Sequence, residues 1–243
     1  MRPAILSALP QELKQTVRNL KITRKVRDPF KIFFAEHPFH EIILIETGMG
    51  SHNAEAAFEH VLAKHSPDFI VSMGFGGALY NGAEVGDLVY ASRVFDIGEK
   101  MEGAIELPDA AGMFGRLSGK ISVQEGSILT LRRFMKKTEI KQIMPQIPLP
   151  VCDMETFPLA RLSTHKGLPF LAIRSITDRV DEEISPELFD IGDEFGRYKL
   201  SRALRLLFSK PRVIPEVAKL GRNSRIASNS LWHAVRQLVE ILK

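Results

Sequence analysis

The chain has a single cysteine, Cys152, in 243 residues. One thiol excludes an intramolecular disulfide and a cysteine-based zinc site. No apolar run reaches the roughly 18–20 residues that a membrane-spanning helix needs. The opening Met1-Arg2-Pro3-Ala4-Ile5-Leu6-Ser7 lacks the longer apolar stretch of a signal peptide. The composition is neither that of a disordered chain nor that of a collagen, and no internal repeat is visible. Glu36-His37 and His40-Glu41 flank a Pro-Phe turn with nothing else convergent, so they read as a solvated hairpin rather than a metal site. Cys152 reads as a small core residue. The expectation is a soluble, reduced, cytoplasmic protein that needs no metal or cofactor and is long enough to bury a core without staples.

The net charge of +4 is mild, but its distribution is uneven. Acids dominate from Asp178 to Glu194, whereas Lys199 to Lys243 holds ten Lys/Arg against Glu216 and Glu240. A basic tail is a solvated helix face or a surface for an anionic membrane or nucleic acid. Nucleic acid is disfavoured, because Trp232 lies on an apolar stripe and stacking platforms need exposed aromatics.

The chain opens with a short apolar run at Ala4–Leu9; strand-like pieces follow at Ile32–Ala35 and Ile42–Thr47, the second apolar enough for a strand covered on both faces, and buried strands are expected at Phe69–Met73 and Phe170–Ile176. A mixed alternation follows at Asp87–Phe95, and Lys120–Thr130 looks extended. Helices are expected from Pro10, over Asn53–Lys64 with Ser51 as N-cap, and over Thr156–His165 before Gly167 and Pro169. A long helix is expected over Pro186 to Phe208. Gly98 to Gly119 has no clear period and reads as loop. Leu231, Trp232, Val235, Leu238, Val239 and Leu242 form one stripe of an amphipathic helix over Ser228–Leu242. Strands alternating with helices argue an α/β sheet packed between helices. The reading is one domain over residues 1–209, with a basic helical extension over 210–243.

Two strand exits are rich in glycine: Gly48-Met49-Gly50-Ser51 and Gly74-Phe75-Gly76-Gly77. Free backbone N–H groups at a helix start suit an anion or a sugar hydroxyl. Neither exit is a dinucleotide fingerprint or a phosphate-binding P-loop, since a third spaced glycine and a Gly-Lys-Ser/Thr are missing. Ligands in open α/β sheets bind at such strand ends. Glu12 sits in the first turn of a helix, where a surface acid would complement the dipole equally well. Asp178 closes a buried strand, a common position for a catalytic acid and for an N-cap alike. Arg174 lies inside the same strand and requires an acidic partner nearby.

Taken in order, Leu6-Ser7-Ala8-Leu9-Pro10-Gln11-Glu12, Thr47 to Ala54, Pro67 to Gly77, Val85-Gly86-Asp87-Leu88-Val89, Asp153-Met154-Glu155 and Arg174-Ser175-Ile176-Thr177-Asp178 resemble the nucleoside phosphorylase and nucleosidase superfamily. The pattern covers roughly residues 3–180 and is most similar to the 5′-methylthioadenosine/S-adenosylhomocysteine nucleosidase branch. The resemblance implies a single mixed central sheet flanked by helices, and the chain is expected to form a homo-oligomer. It implies cleavage of the N-glycosidic bond of a purine nucleoside, a 5′-substituted adenosine, through a ribosyl cation-like transition state. Asp178 would protonate the leaving base and Glu12 would orient and deprotonate water. Glu155 would bind the ribose hydroxyls, and Met154 would pack on the sugar. Arg174 would pair with Glu12, and Thr177 would orient Asp178. Gly48, Phe75 and Gly76 would line the substrate site, with the purine-contacting strand near Ile128–Phe134.

Phe75 departs from the small hydroxyl residue usual after Gly74, so that contact would be lost or made by backbone. The glycine–arginine phosphate site of the phosphorylases has no match near Ser7–Glu12. That favours water over phosphate, although Arg93 or Arg179 remain available to phosphate. The basic extension resembles that of the hopanoid-associated phosphorylase, which leaves a phosphorylase acting on an adenosyl lipid precursor as the alternative; futalosine hydrolase belongs to the same reaction class. A non-catalytic ligand-binding relative is the second alternative. The extension is expected to meet a second subunit or the inner membrane surface, or to pack on its own domain.

Overall fold

The computed structural model describes residues 1–109, 112–183 and 210–242. The strands are β1 (Pro3–Ser7), β2 (Lys21–Val26), β3 (Lys31–His37), β4 (His40–Glu46), β5 (Phe69–Ala78), β6 (Leu88–Ile97), β7 (Met101–Glu106), β8 (Gln124–Leu131), β9 (Pro150–Asp153) and β10 (Phe170–Asp178). The helices are α1 (Pro10–Asn19), α2 (Ser51–His65), α3 (Met113–Ser118), α4 (Lys137–Ile143), α5 (Thr156–Lys166) and α6 (Ile214–Ile241). The helix expected over Pro186 to Phe208 lies outside the described residues.

Among the described residues, ten strands join one mixed sheet in the order β10-β6-β8-β9-β5-β1-β4-β3-β2, with β7 paired to β6. β10 also pairs with β5, so β5, β10, β6, β8 and β9 form a closed circuit. β5 is the hinge of this arrangement. Along one edge it pairs with β10 from Ile70 to Gly77. Along the other edge β1 pairs as far as Ser72, and β9 begins only at Gly77. The backbone between them is a gap in the ladder, and it becomes the floor of the site.

Successive residues of the central strands point to opposite faces. Ile5, Leu44, Val71 and Ile173 meet Leu13 of α1 and Leu231, Val235 and Leu238 of α6 on one face. Ala4, Leu6, Ile43 and Ile70 meet Ala57, Phe58 and Val61 of α2 and Leu159 of α5 on the other. Burial on both sides is why these strands read as unbroken apolar runs. β2, Lys-Ile-Thr-Arg-Lys-Val, is an edge strand and mostly exposed; its charges guard the edge.

Several expectations are corrected. Gly98 to Gly119 is not loop, since it carries β7 and α3. The strands that lead into the two glycine-rich segments, β4 and β5, are separated in the sheet by β1. Gly74-Phe75-Gly76-Gly77 is the continuation of β5, not its exit. The N-cap of α2 is Gly50 at φ +89°, and the Ser51 hydroxyl instead donates to the Met154 carbonyl at 3.2 Å. The Glu36–Glu41 hairpin exists, but His40 is buried and stacks on His37, whose Nε2 stands 3.6 Å from Glu240.

The C-terminal helix is also different from the extension that was expected. Among the described residues it is one continuous helix, which begins well before the expected Ser228. Its stripe is buried against the chain's own sheet: Leu231, Val235, Leu238, Val239 and Leu242 belong to the main core, and Trp232 packs on it. The stripe is therefore not free for lipid or a second subunit. Asn223 of α6 ties the helix to the site strand by donating to the Thr177 carbonyl at 2.8 Å. No helix among the described residues is long and apolar enough to cross a membrane. Leu238→Ala should cost about 2–5 kcal/mol in urea unfolding, the usual range for a truncated core leucine. A loss below about 0.5 kcal/mol, as for a surface site, would show that the helix is an appendage.

Candidate active site

A cavity of about 160 Å³ opens at the gap in the β5 ladder. Glu12, Phe75, Gly76, Met154, Glu155, Thr177 and Asp178 line it, so seven residues singled out in the sequence converge there. Leu131, at the end of β8, and Phe134 and Met135 beyond it form an apolar wall. Gly48 and Arg174 are not in the lining. Gly48, at φ +88°, turns the chain between β4 and α2, and its N–H donates to the Ala8 carbonyl at 3.1 Å.

Glu12 stands at the third position of α1. Its Oε2 accepts the Leu9 N–H at 2.7 Å, which caps the helix from within. Its Oε1 accepts the Phe75 N–H at 2.8 Å, so the carboxylate takes a β5 donor in the gap of the ladder. Phe75 thus contributes its backbone N–H to the site. Glu12 is buried, and desolvation pushes its pKa up to about 7 against the pull of these N–H groups and the field of Arg174. A carboxylate that titrates near neutrality is suited to general-base work.

The glycines of β5 make room for the acids. A methyl on Gly74 would stand 2.7 Å from Glu12 Oε1, and one on Gly77 would stand 2.7 Å from Asp178 Oδ2. Gly76 faces Val151 of β9 still more closely. The run is glycine-rich because carboxylates and a neighbouring strand lie directly over the backbone.

Arg174 does not pair with Glu12. Its Nε and Nη2 donate to Asp153 Oδ2 at 3.0 and 2.5 Å, and its Nη2 also reaches Ser72 Oγ and Thr156 Oγ1. The other Asp153 oxygen accepts the Thr130 hydroxyl at 2.7 Å, and the Thr156 N–H donates to Oδ2 at 3.0 Å. This network ties the ends of β8 and β9, the start of α5 and β10 together. It anchors the turn carrying Met154 and Glu155. Glu155 Oε1 accepts the Gly50 N–H at 2.6 Å, so the free amide at the start of α2 is already engaged by a protein carboxylate. Burial and the neighbouring Asp153 and Glu12 push the Glu155 pKa up.

At the far end, Thr177 Oγ1 donates to Asp178 Oδ1 at 2.8 Å. Asp178 Oδ2 stands 2.5 Å from Lys137 Nζ. Burial raises the Asp178 pKa while Lys137 pulls it back. Cys152 is not simply core: it lines the cavity, and burial pushes its thiol up to about 12. Arg93 pairs with Glu106, and Arg179 with Glu84 and Glu182; neither of these arginines, left available to phosphate in the sequence, lines the cavity. Lys137 and the anchoring role of Asp153 were missed in the sequence. Asp153 carried a signal, since buried Arg174 demanded an acid; Lys137 carried none.

The family model of the phosphorylase superfamily matches residues 2–207. The chain belongs to this superfamily. A 5′-methylthioadenosine/S-adenosylhomocysteine nucleosidase of Buchnera aphidicola is 23% identical over 227 residues, covering 85% of this chain and 97% of that protein. The Campylobacter jejuni nucleosidase of the same name superposes with a TM-score of 0.71 at 18% identity, over 97% of this chain and 98% of that one. Helicobacter pylori futalosine hydrolase superposes with a TM-score of 0.69 at 14% identity, over 99% and 97%. At these identities the structural matches speak for the phosphorylase superfamily fold alone.

Two outcomes follow from the charges of this superfamily member. Arg174→Met should destabilise by about 3–5 kcal/mol in denaturant unfolding, because Asp153 is left buried without its counter-ion. A loss under about 1 kcal/mol would contradict the network. Glu12 has a folded pKa above its unfolded value, so its contribution to stability is full at low pH and is lost as pH rises through about 7. In Glu12→Gln that loss disappears. The difference in Tm between variant and wild type should therefore move in the variant's favour between pH 5 and pH 8. A difference independent of pH would refute the shift.

Proposed function

We propose that the chain hydrolyses the N-glycosidic bond of a purine nucleoside, with 5′-substituted adenosines as its substrate class. The observation that carries this reading is one cavity lined by Glu12, Glu155 and Asp178, with Glu12 poised to titrate near pH 7. The nucleosidase names of the curated relatives support it.

In this reading the base lies against Leu131, Phe134 and Met135, and the ribose lies between Met154 and Phe75. Glu155 accepts hydrogen bonds from the ribose hydroxyls. Asp178 gives its proton to a ring nitrogen as the bond from C1′ breaks and the electron pair leaves with the base. Glu12 takes a proton from the water that adds to C1′. Water is favoured over phosphate because, among the described residues, the cation lining the cavity is Lys137, and Asp178 already engages it.

The test is incubation with 5′-methylthioadenosine, S-adenosylhomocysteine and inosine, with and without inorganic phosphate, followed by chromatography. Adenine should appear from the first two without phosphate. Asp178→Asn should lower kcat by about 10²–10⁴-fold, the usual worth of a positioned general acid. Base release that requires phosphate would contradict hydrolysis, and no release from any nucleoside would leave a binding protein.

A further inference from the structure

Lys137 is a buried cation that the mechanism above leaves unused. Its side chain is 7% exposed and runs from the first residue of α4 to the end of β10. Three acceptors match its three ammonium protons: Asp178 Oδ2 at 2.5 Å, the Asp178 carbonyl at 3.2 Å and the Arg179 carbonyl at 2.5 Å. Its backbone N–H donates to the Glu183 carboxylate at 3.1 and 3.3 Å, which fixes the start of α4 against the segment after β10. An ammonium held by two carbonyls in this way stays in place when the charge on Asp178 changes.

We propose that Lys137 is the positioning residue of the general acid: it holds the Asp178 carboxyl at the cavity wall and supplies the counter-charge for the carboxylate left when the proton goes to the base. This rests on the reading of Asp178 given above. The step balances simply. The C1′–N bond breaks, its electron pair goes to the base, and the proton passes from Asp178 to a ring nitrogen. Lys137 neither gains nor loses a proton. The new carboxylate forms in a cavity that Glu12, Glu155 and Asp153 also line. The groups facing Asp178 are Lys137 from α4, Cys152 from β9 and Thr177 beside it, with Glu182 adding a repulsive field from the following segment. Arg179 turns its guanidinium to Glu84 and Glu182. Without Lys137, burial would leave Asp178 holding its proton too firmly to be an effective acid.

The titration of the Asp178 carboxyl decides this without substrate. Carbon-13 NMR of the full chain, with Asp178→Asn to assign the signal, should show its midpoint higher in Lys137→Met than in wild type by about 1–3 pH units, the usual effect of a contacting opposite charge. An unchanged or lowered midpoint overturns the proposal, whether or not any nucleoside is cleaved. Lys137→Gln keeps an amide donor and replaces the methionine variant if that one does not fold; failure of both to fold would make Lys137 a structural tie and overturn its role. On a nucleoside that wild type cleaves, kcat in the neutral variant should fall on the order of 10²-fold, as for loss of one preorganised charge-stabilising donor. KM should stay close to wild type, and the alkaline limb of kcat should move to higher pH. Lys137→Arg should restore much of kcat. An unmoved limb overturns the proposal; absence of cleavage by wild type overturns the functional reading instead.

Discussion

Glu12, Asp153, Glu155 and Asp178 share one end of this fold with the buried cations Arg174 and Lys137, and the way the charges are divided decides the chemistry of each acid. Arg174 is committed to Asp153, and Lys137 to Asp178. Glu12 and Glu155 are left with backbone N–H groups as their hydrogen-bond donors. Such donors favour the ionised form, but for Glu12 they do not outweigh desolvation. Burial therefore raises Glu12 and Glu155 above the ordinary carboxylate range, and it raises Asp178 too, against the pull of Lys137.

The sheet creates this division. β1 and β9 share an edge of β5 without meeting, and the unpaired backbone between them takes the Glu12 carboxylate. The same strand must pass beneath Asp178, which is why Gly74 and Gly77 cannot carry side chains without displacing an acid. On the other edge, β10 carries both Arg174 and Asp178 while pairing with β5 over most of its length. Arg174 points to the network at the base of β9, and Asp178 to the cavity. α6 completes the site from behind, through Asn223 on the Thr177 carbonyl.

The central strands were legible because helices cover both faces, leaving continuous apolar runs at Ile42–Ile45 and Phe69–Val71. β2 was not legible, since an edge strand rich in Lys and Arg has no apolar alternation. β9 spans only Pro150–Asp153, too short for a period, and α3 and α4 are barely two turns. These omissions explain the errors at the site. Arg174 was assigned to Glu12 because the strand carrying its partner, Asp153, was not recognised. Lys137 went unnoticed because α4 was not recognised either. The glycines of Gly74-Phe75-Gly76-Gly77 were read as a strand exit on local grounds, whereas the acids packed over them are distant in sequence. The apolar stripe of α6 was legible as a stripe, but its destination depends on a sheet face assembled from β1, β4, β5 and β10.

The pH dependence of kcat/KM tests the division of charge most directly, because its bends report the ionisations of the free enzyme. On a nucleoside the wild type cleaves, kcat/KM should rise with unit slope on the acid side and bend near pH 7, where Glu12 loses its proton. A bend in the ordinary carboxylate range, at about 4–5, would contradict the account, for it would mean that burial does not raise Glu12 and that it is not the poised base.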